Sequence, residues 1–293
     1  MSNTTGYIPG HADRNIIQDF IKAALHEDIG SGDHTSLSTI PADKTEKARL
    51  IVKDQGILAG VELAGYIFTA VDPQLKMTVF IEDGNAVKKG DIAFEVEGPA
   101  RSIPIAERLV LNCMQRMSGI ATQTWQLVQL VKDLPVKVVD TRKTTPLFRY
   151  FEKWAVRIGG GHNHRFGLYD MILIKDNHVD YAGGIANAIK AAQKYNTEKQ
   201  LGLDIEIEVR NFTELEEALN TGGVRRIMLD NFDPKNLKEA VEIVGKRFET
   251  EASGGITAET IRTFAETGVD YISVGALTHH IKSLDMSLKA IRK

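Results

Sequence analysis

The chain has 293 residues, 43% of them hydrophobic, enough to give one large domain or two modest ones a full core. A formal net charge of −3 excludes a global footprint for nucleic acid or a membrane surface, so any cationic site must be local. The single cysteine, Cys113, excludes an internal disulfide framework and a cysteine-based zinc cluster.

The N-terminal stretch MSNTTGYIPGHADR is polar and has no apolar leader core, and no run approaches a membrane span. The expected setting is cytoplasmic, without nucleic acid or membrane as partner. A helix is expected from about Arg14 to His26, where Ile16, Ile17, Phe20, Ile21, Ala24 and Leu25 recur at helical spacing. Turn residues in GSGDHTS, Gly30 to Ser36, end it. Strand-like segments follow in ARLIVKD, LKMTVFI and DIAFEVEG, and EDGNAVKKGD between the last two is a link of the kind that joins paired strands. No lysine sits there at a tight turn between small flanking residues, as a lipoyl- or biotin-carrier hairpin would need. The reading is therefore a small structural α/β layer. From about Ile103 to Lys132 the pattern is helical, interrupted near Ser118–Gly119, and this element carries Arg108 and Arg116.

The second region alternates. Strands are expected at 136–140, 169–176, 203–209, 225–231, 248–253 and 271–277, with helical stretches such as GIANAIKAAQKY and PKNLKEAVEIVGK between them. Apolar strands joined by helices of about ten residues imply right-handed βαβ units and a parallel sheet covered by helices. Six strands are few for an eight-fold barrel, so a reduced α/β barrel and an open doubly wound sheet both fit.

In either architecture ligands bind at the carboxyl ends of the strands. Those ends read Asp140-Thr141-Arg142-Lys143, Lys175-Asp176, Glu208, Asp230-Asn231, Ser253-Gly254-Gly255 and Gly275-Ala276. Nearly every strand delivers a charged or loop-forming polar group to one rim. Arg157, Arg165, a glycine triplet and the histidines His162, His164 and His178 lie in the stretch from Asp140 to Asp180. Cations beside apolar strands are costly to desolvate unless anions meet them, and this concentration points to a ligand with several negative charges. Ser253, Gly254 and Gly255, ahead of a helix expected to hold Thr257 and Glu259 in its first turn, form a phosphate seat, with Gly275 on the next strand as its second member. Glu208 and Asp230 either neutralise the cations or coordinate Mg²⁺ on a pyrophosphate. Alternation puts Glu206 and Glu208 on one face of IEIEV, and Glu208 is nearer the strand end. His162 and His164 invite a zinc reading, which Arg165 and the lack of a carboxylate or cysteine nearby in sequence oppose.

DTRKTTP, GGGHNHR, LYDMILIKDNH, IEIEV, MLDN, SGGI and GVDYISVGALTH, in this order, closely resemble the quinolinate phosphoribosyltransferase family. HEDIGSGDHTS and AERLVLNCMQRMSGIAT extend the likeness through nearly the whole chain. The resemblance implies an N-terminal α/β sandwich-like domain over about 1–117 and a reduced six-stranded parallel α/β barrel over about 118–293, with a helical C-terminal segment able to pack back on the first domain. It implies a homodimer, with growth to a hexamer open, whose site is completed in trans by Arg108. It places Arg142, His164, Arg165 and Lys175 around quinolinate. Lys143, Glu208, Asp230, Ser253 and Gly254 would face phosphoribosyl pyrophosphate and its Mg²⁺, with Lys143, Lys175, Glu208 and Asp230 as the catalytic set. One departure is Arg210-Asn211 after IEIEV, where an acidic or neutral residue is the expectation.

The implied reaction is phosphoribosyl transfer to quinolinate with decarboxylation, giving nicotinate mononucleotide, pyrophosphate and CO2 in NAD synthesis. The alternatives are a molybdenum-associated, ModD-like phosphoribosyltransferase, another acidic heterocycle as acceptor, and, in a different class, a non-catalytic sensor of phosphorylated metabolites.

Overall fold

The computed structural model describes residues 14–291, so the polar segment 1–13 and residues 292–293 lie outside the described part. The chain forms two compact units that interleave along the sequence.

One unit is built from residues up to 125, from 144–160 and from 277 onward. After the helix Arg14–Ile29 come strands β1 (Thr45–Val52), β2 (Gly56–Ile57), β3 (Lys76–Val79), β4 (Ala86–Val87) and β5 (Ile92–Pro99). As the sequence implied, β3 and β5 pair antiparallel, and the link between them also carries β4, which pairs with β2. The helix Val61–Val71 starts at a left-handed Gly60, and Asp83 from that link caps it by accepting from Val61 N at 2.8 Å. The cap is needed because first-turn amides have no partner within their own helix.

The long helix Ser102–Val131 runs without interruption, contrary to the break expected at Ser118–Gly119, and the 117/118 boundary falls inside it. These two small residues serve packing instead. Ser118 Oγ accepts from Ala59 N at 2.9 Å and donates to Ala59 O at 3.1 Å. A Cβ at Gly119 would collide with the carbonyl oxygen of Lys282. Small residues read as breakers here permit close approach of neighbouring backbone.

The other unit holds the parallel sheet: β6 (Lys137–Val139), β7 (Ile172–Ile174), β8 (Ile205–Val209), β9 (Arg226–Asp230), β10 (Glu249–Ser253) and β11 (Tyr271–Ser273). All six expected strands are present. Their order is β6-β11-β10-β9-β8-β7, a six-stranded parallel α/β barrel open at one seam among the described residues. Helices between strands start where capping side chains allow. Asn211 accepts from Glu214 N ahead of Phe212–Thr221, and Asp233 accepts from Asn236 N ahead of Pro234–Val244, with Pro at its start.

β8 is buried at every position. Ile205, Ile207 and Val209 face one side, and Glu206 and Glu208 the other, since side chains alternate along a strand. Two glutamates inside a sheet that is apolar on its helix side mark a polar barrel interior.

The last strand, β12 (Met286–Ala290), corrects the expected helical C-terminal segment. It pairs antiparallel with β1 and extends the four-stranded sheet β12-β1-β5-β3 of the first unit. Its alternating buried positions Met286 and Leu288 fit a half-covered antiparallel edge.

Candidate active site

A cavity of about 320 Å³ opens at the carboxyl ends of the parallel strands. Arg142, Lys143, Arg165 and Lys175 bring four cationic side chains to it, with Thr141, His164, Glu251, Ser253 and Ser273, and its apolar wall is Leu173 and Met228. Seven of the residues singled out from sequence or placed on the rim therefore meet in one space: Thr141, Arg142, Lys143, His164, Arg165, Lys175 and Ser253.

Register explains the layering. β9 and β10 pair with Arg226 beside Glu249, Met228 beside Glu251 and Asp230 beside Ser253. β8 and β9 pair Glu206 with Arg226 and Glu208 with Met228. Alternation then stacks the interior side chains in levels, with Arg226 and Glu206 deep, Glu208 higher, and Asp230 and Ser253 at the rim.

The upper level carries the Lys175 Nζ–Glu208 Oε2 ion pair at 3.1 Å. Structure thus separates the two glutamates that alternation alone left equivalent. Glu208 joins the rim, whereas Glu206 is fully buried beneath it.

Beneath the rim lies a compact charge network that the sequence alone did not reveal, joining Arg226 and Glu206 of the deep level to Glu251 one level above. His164 Nε2 lies 3.0 Å from Glu206 Oε2 and 3.4 Å from Glu251 Oε2. Alignment with either oxygen is poor, so the attraction is mainly coulombic. Arg226 Nη1 meets Glu251 Oε2 at 2.8 Å, and its guanidinium lies 3.6 Å over the Tyr271 ring. Burial opposes charge on His164, but Glu251 and Glu206 prevail and push its pKa up to about 10. Burial and then Glu251 raise the Glu206 carboxyl. Burial also works against charge on Glu251, but His164 and Arg226 outweigh it and lower that carboxyl, which is therefore the anion of the pair.

Carboxylates absent near His164 along the chain are present in space, where His164, Glu206 and Glu251 bring ligand atoms within 4.8 Å of one another. Arg226 already supplies positive charge there and His164 lies between the two carboxylates, so the cluster is accounted for as a polar floor.

The loop bearing His164 and Arg165 is fixed from below. The wholly buried Asp140 accepts from His164 N at 2.9 Å and Asn163 Nδ2 at 2.6 Å. Asp170 accepts from Phe166 N at 2.6 Å and Gly167 N at 2.8 Å. Arg165 is 8% exposed, and burial, then the neighbouring Arg142, depress its guanidinium pKa. Arg165, its charge opposed by burial and by a neighbouring guanidinium, makes a site that an anion stabilises.

At the phosphate side the structure changes one expectation. The helix after β10 is Ile261–Ala265, so Thr257 and Glu259 precede it and are not in its first turn. Thr257 N donates to Thr260 Oγ1 at 3.0 Å, and this side-chain turn takes the place of a first helical turn. What remains at the seat is backbone. Gly254 has φ +105°, and a Cβ there would collide with Asn231 Oδ1.

Glu208 and Asp230 end adjacent strands, and Asp230 Oδ2 accepts from Asn231 Nδ2 at 2.6 Å. Hard carboxylate oxygens at the mouth of a cationic cavity fit magnesium, which takes one or two carboxylates with water and substrate phosphate. Gly254, Gly255 and Gly275 follow β10 and β11 at the same rim without lining the cavity, and Glu208 and Asp230 do not line it either. Arg108 belongs to the other unit, exposed on the helix Ser102–Val131. The unexpected Arg210 is neutralised locally by Glu214 at 2.7 Å and Asp180 at 2.9 Å. His178 is structural, its Nδ1 accepting from Lys175 N at 2.9 Å.

Comparisons with known proteins agree along the chain. The model of the quinolinate phosphoribosyl transferase C-terminal domain matches residues 120–289, and that of the N-terminal domain residues 33–118. A chloroplastic nicotinate-nucleotide pyrophosphorylase (carboxylating) of Oryza sativa is 49% identical over 92% of this chain and 76% of its own length. A mitochondrial quinolinate phosphoribosyltransferase (decarboxylating) of Nicotiana tabacum is 46% identical over 93% of this chain and 82% of its own. The solved nicotinate-nucleotide pyrophosphorylase of Francisella tularensis superposes with a TM-score of 0.88 at 40% identity, covering 94% of this chain and 96% of that one.

Proposed function

The chain belongs to the quinolinate phosphoribosyltransferase family, and we infer that it carries out that family's reaction. It transfers phosphoribosyl from phosphoribosyl pyrophosphate to quinolinate with loss of CO2, giving nicotinate mononucleotide and pyrophosphate for NAD synthesis. The observation that carries this is the convergence of Arg142, Lys143, Arg165 and Lys175 on one cavity with an apolar wall. Quinolinate is a flat ring with two neighbouring carboxylates, and its partner substrate bears a phosphate and a pyrophosphate. Together they supply the anions that this rim requires.

Arg142, Arg165 and Lys175 hold the two carboxylates, each charge-assisted hydrogen bond contributing about 1.5–3 kcal/mol, with the arginines able to bind in bidentate fashion. Leu173 and Met228 receive the ring and keep water from it. Ser253 with the backbone of Gly254 and Gly255 seats phosphate, and Gly275 closes the same rim. Held in this orientation, the ring nitrogen attacks C1 of the ribose with its own lone pair, so no general base is required. Lys143 faces the departing pyrophosphate, and the carboxylates of Glu208 and Asp230 favour the positive charge that develops on the sugar. Glu208 and Asp230 would also hold magnesium, which when bound neutralises pyrophosphate charge. Once ribosylated, the cationic ring stabilises the electron pair left on C2 as the 2-carboxylate departs as CO2, and a proton from water then takes that position.

A homodimer is part of the proposal, with the exposed Arg108 reaching a partner's site and a hexamer as a larger assembly built from it. A cytoplasmic location is proposed with it; the two plant relatives' names speak of chloroplast and mitochondrion for those proteins alone. No helix among the described residues is long and apolar enough to cross a membrane.

Arg142→Ala and Lys175→Ala chains are expected to stay folded by circular dichroism and to form nicotinate mononucleotide about 100-fold more slowly or worse, since each gives up one or two charge-assisted hydrogen bonds to substrate. Near-native turnover in both would remove the assigned site. Mixed with an Arg108→Ala chain, the Arg142→Ala chain should recover part of the activity, and none despite proven subunit exchange would refute the shared site.

A further inference from the structure

We infer that His164 serves the reaction as a positioning residue acting through Arg165, and is not itself a ligand of the substrate carboxylates. The inference rests on the quinolinate reading above.

His164 borders the cavity, yet its side chain is only 6% exposed and its nitrogens point into the protein. Nε2 lies between Glu206 and Glu251, at 3.0 and 3.4 Å. Nδ1 accepts the backbone N–H of Arg165 at 2.7 Å. A histidine that bound a substrate carboxylate would have to aim a ring N–H into the cavity, and both nitrogens are already committed to protein groups.

The bond to Arg165 N has a consequence for the loop. With His164 N held on Asp140 at 2.9 Å and Arg165 N held on the ring, the two peptides that flank His164 are both clamped. That clamp sets the direction in which Arg165 leaves the chain. Its guanidinium then crosses to the cavity, with Nη1 near Met171 O at 3.4 Å. Glu206 and Glu251 are the anchor of the clamp, because they attract the Nε2 proton and fix the ring about its long axis.

Two pulls compete at this ring. The carboxylates favour protons on both nitrogens, whereas the Arg165 amide requires a bare lone pair on Nδ1. The backbone has taken the geometry of the second, since a proton on Nδ1 would bring two N–H groups face to face at 2.7 Å. The bond from Arg165 N outweighs the carboxylates' pull toward a second proton, so the ring is neutral, with its one proton on Nε2 between the two carboxylates.

The test is a double-mutant cycle on quinolinate affinity, read by titration calorimetry on the full chain: wild type, His164→Ala, Arg165→Ala and the double variant. Each single change is expected to weaken binding by about tenfold or more, the effect of removing one charge-assisted hydrogen bond. The double variant should be no weaker than Arg165→Ala within about twofold, because His164 has no route to the substrate once Arg165 is gone. Losses that multiply would show direct contact and overturn the inference. His164→Asn keeps an acceptor in the place of Nδ1 and should bind within about threefold of wild type, whereas His164→Gln should resemble His164→Ala; the reverse order would also overturn it. Nitrogen-15 chemical shifts of the unsubstituted protein give a reading that needs no variant to fold. They should show Nε2 protonated and Nδ1 bare at neutral pH, and a doubly protonated ring would contradict the clamp. A wild-type chain that fails to bind quinolinate at all would instead refute the functional reading on which the inference stands.

Discussion

At Gly254 the backbone stands at φ +105°, and any side chain would run into Asn231 Oδ1. Asn231 is itself left-handed at φ +56° and donates its amide N–H to Ser253 O at 2.9 Å, so the two strand ends lock together at this point. Gly254→Ala should therefore disturb the phosphate seat more than the acceptor site. We expect the KM for phosphoribosyl pyrophosphate to rise about tenfold or more, with quinolinate KM changed less than about threefold and stability lower by about 1–3 kcal/mol. Steady-state kinetics with each substrate varied in turn checks this, and an unchanged phosphoribosyl pyrophosphate KM would argue against the seat. Rim residues such as Arg142, Lys175 and Ser253 were legible because charge and glycine at the ends of apolar strands have few structural explanations. Glu206, Arg226 and Glu251 were not. Their partners come from separate strands, and only register tells that Arg226 sits level with Glu206 and Glu249. The available signal was charge at alternate positions in IEIEV, RIMLD and ETEAS, unusual in strands covered on both faces.

At the level of elements, Arg116 on the long helix joins three segments of its unit. It reaches Glu152 at 2.6 Å, Thr145 Oγ1 at 2.9 Å and Thr278 O at 2.9 Å. Glu152 is fully buried and also accepts from Thr145 N at 3.1 Å. Arg116→Ala leaves that buried carboxyl without its guanidinium partner, and should lower stability by about 3 kcal/mol or more in denaturant unfolding. A decrease below about 1 kcal/mol would mean that water or another cation replaces the guanidinium. The sequence alone gives Arg116 no role beyond a place on the helix, because its three partners lie in segments that only the fold assembles. The same blindness made Ser118–Gly119 look like a helix break and the final segment like a helix. Local propensity identifies breakers and apolar periodicity, but it does not see that Ala59 and Lys282 press against the helix or that β1 offers an unpaired edge to Met286–Ala290.

At the scale of the whole molecule, two units share one chain in alternation, and the cationic rim lies wholly within the one that holds the parallel strands. Parallel topology delivers the carboxyl ends of all six strands to the same side, which is why residues spread from Arg142 to Ser273 can serve one reaction. This arrangement was readable in outline from strand spacing, and the reduced barrel was distinguished from an open doubly wound sheet only by the observed strand order. The central claim is that the rim selects an acceptor with two neighbouring carboxylates. The most direct test supplies the purified chain with phosphoribosyl pyrophosphate, magnesium and quinolinate labelled with carbon-13 in the 2-carboxylate, with nicotinate in a parallel reaction, and follows products by mass spectrometry. Unlabelled nicotinate mononucleotide and labelled CO2 are expected in equal amounts from quinolinate, with little or no nucleotide from nicotinate. Nucleotide that retains the label, or faster turnover of nicotinate than of quinolinate, would contradict that claim.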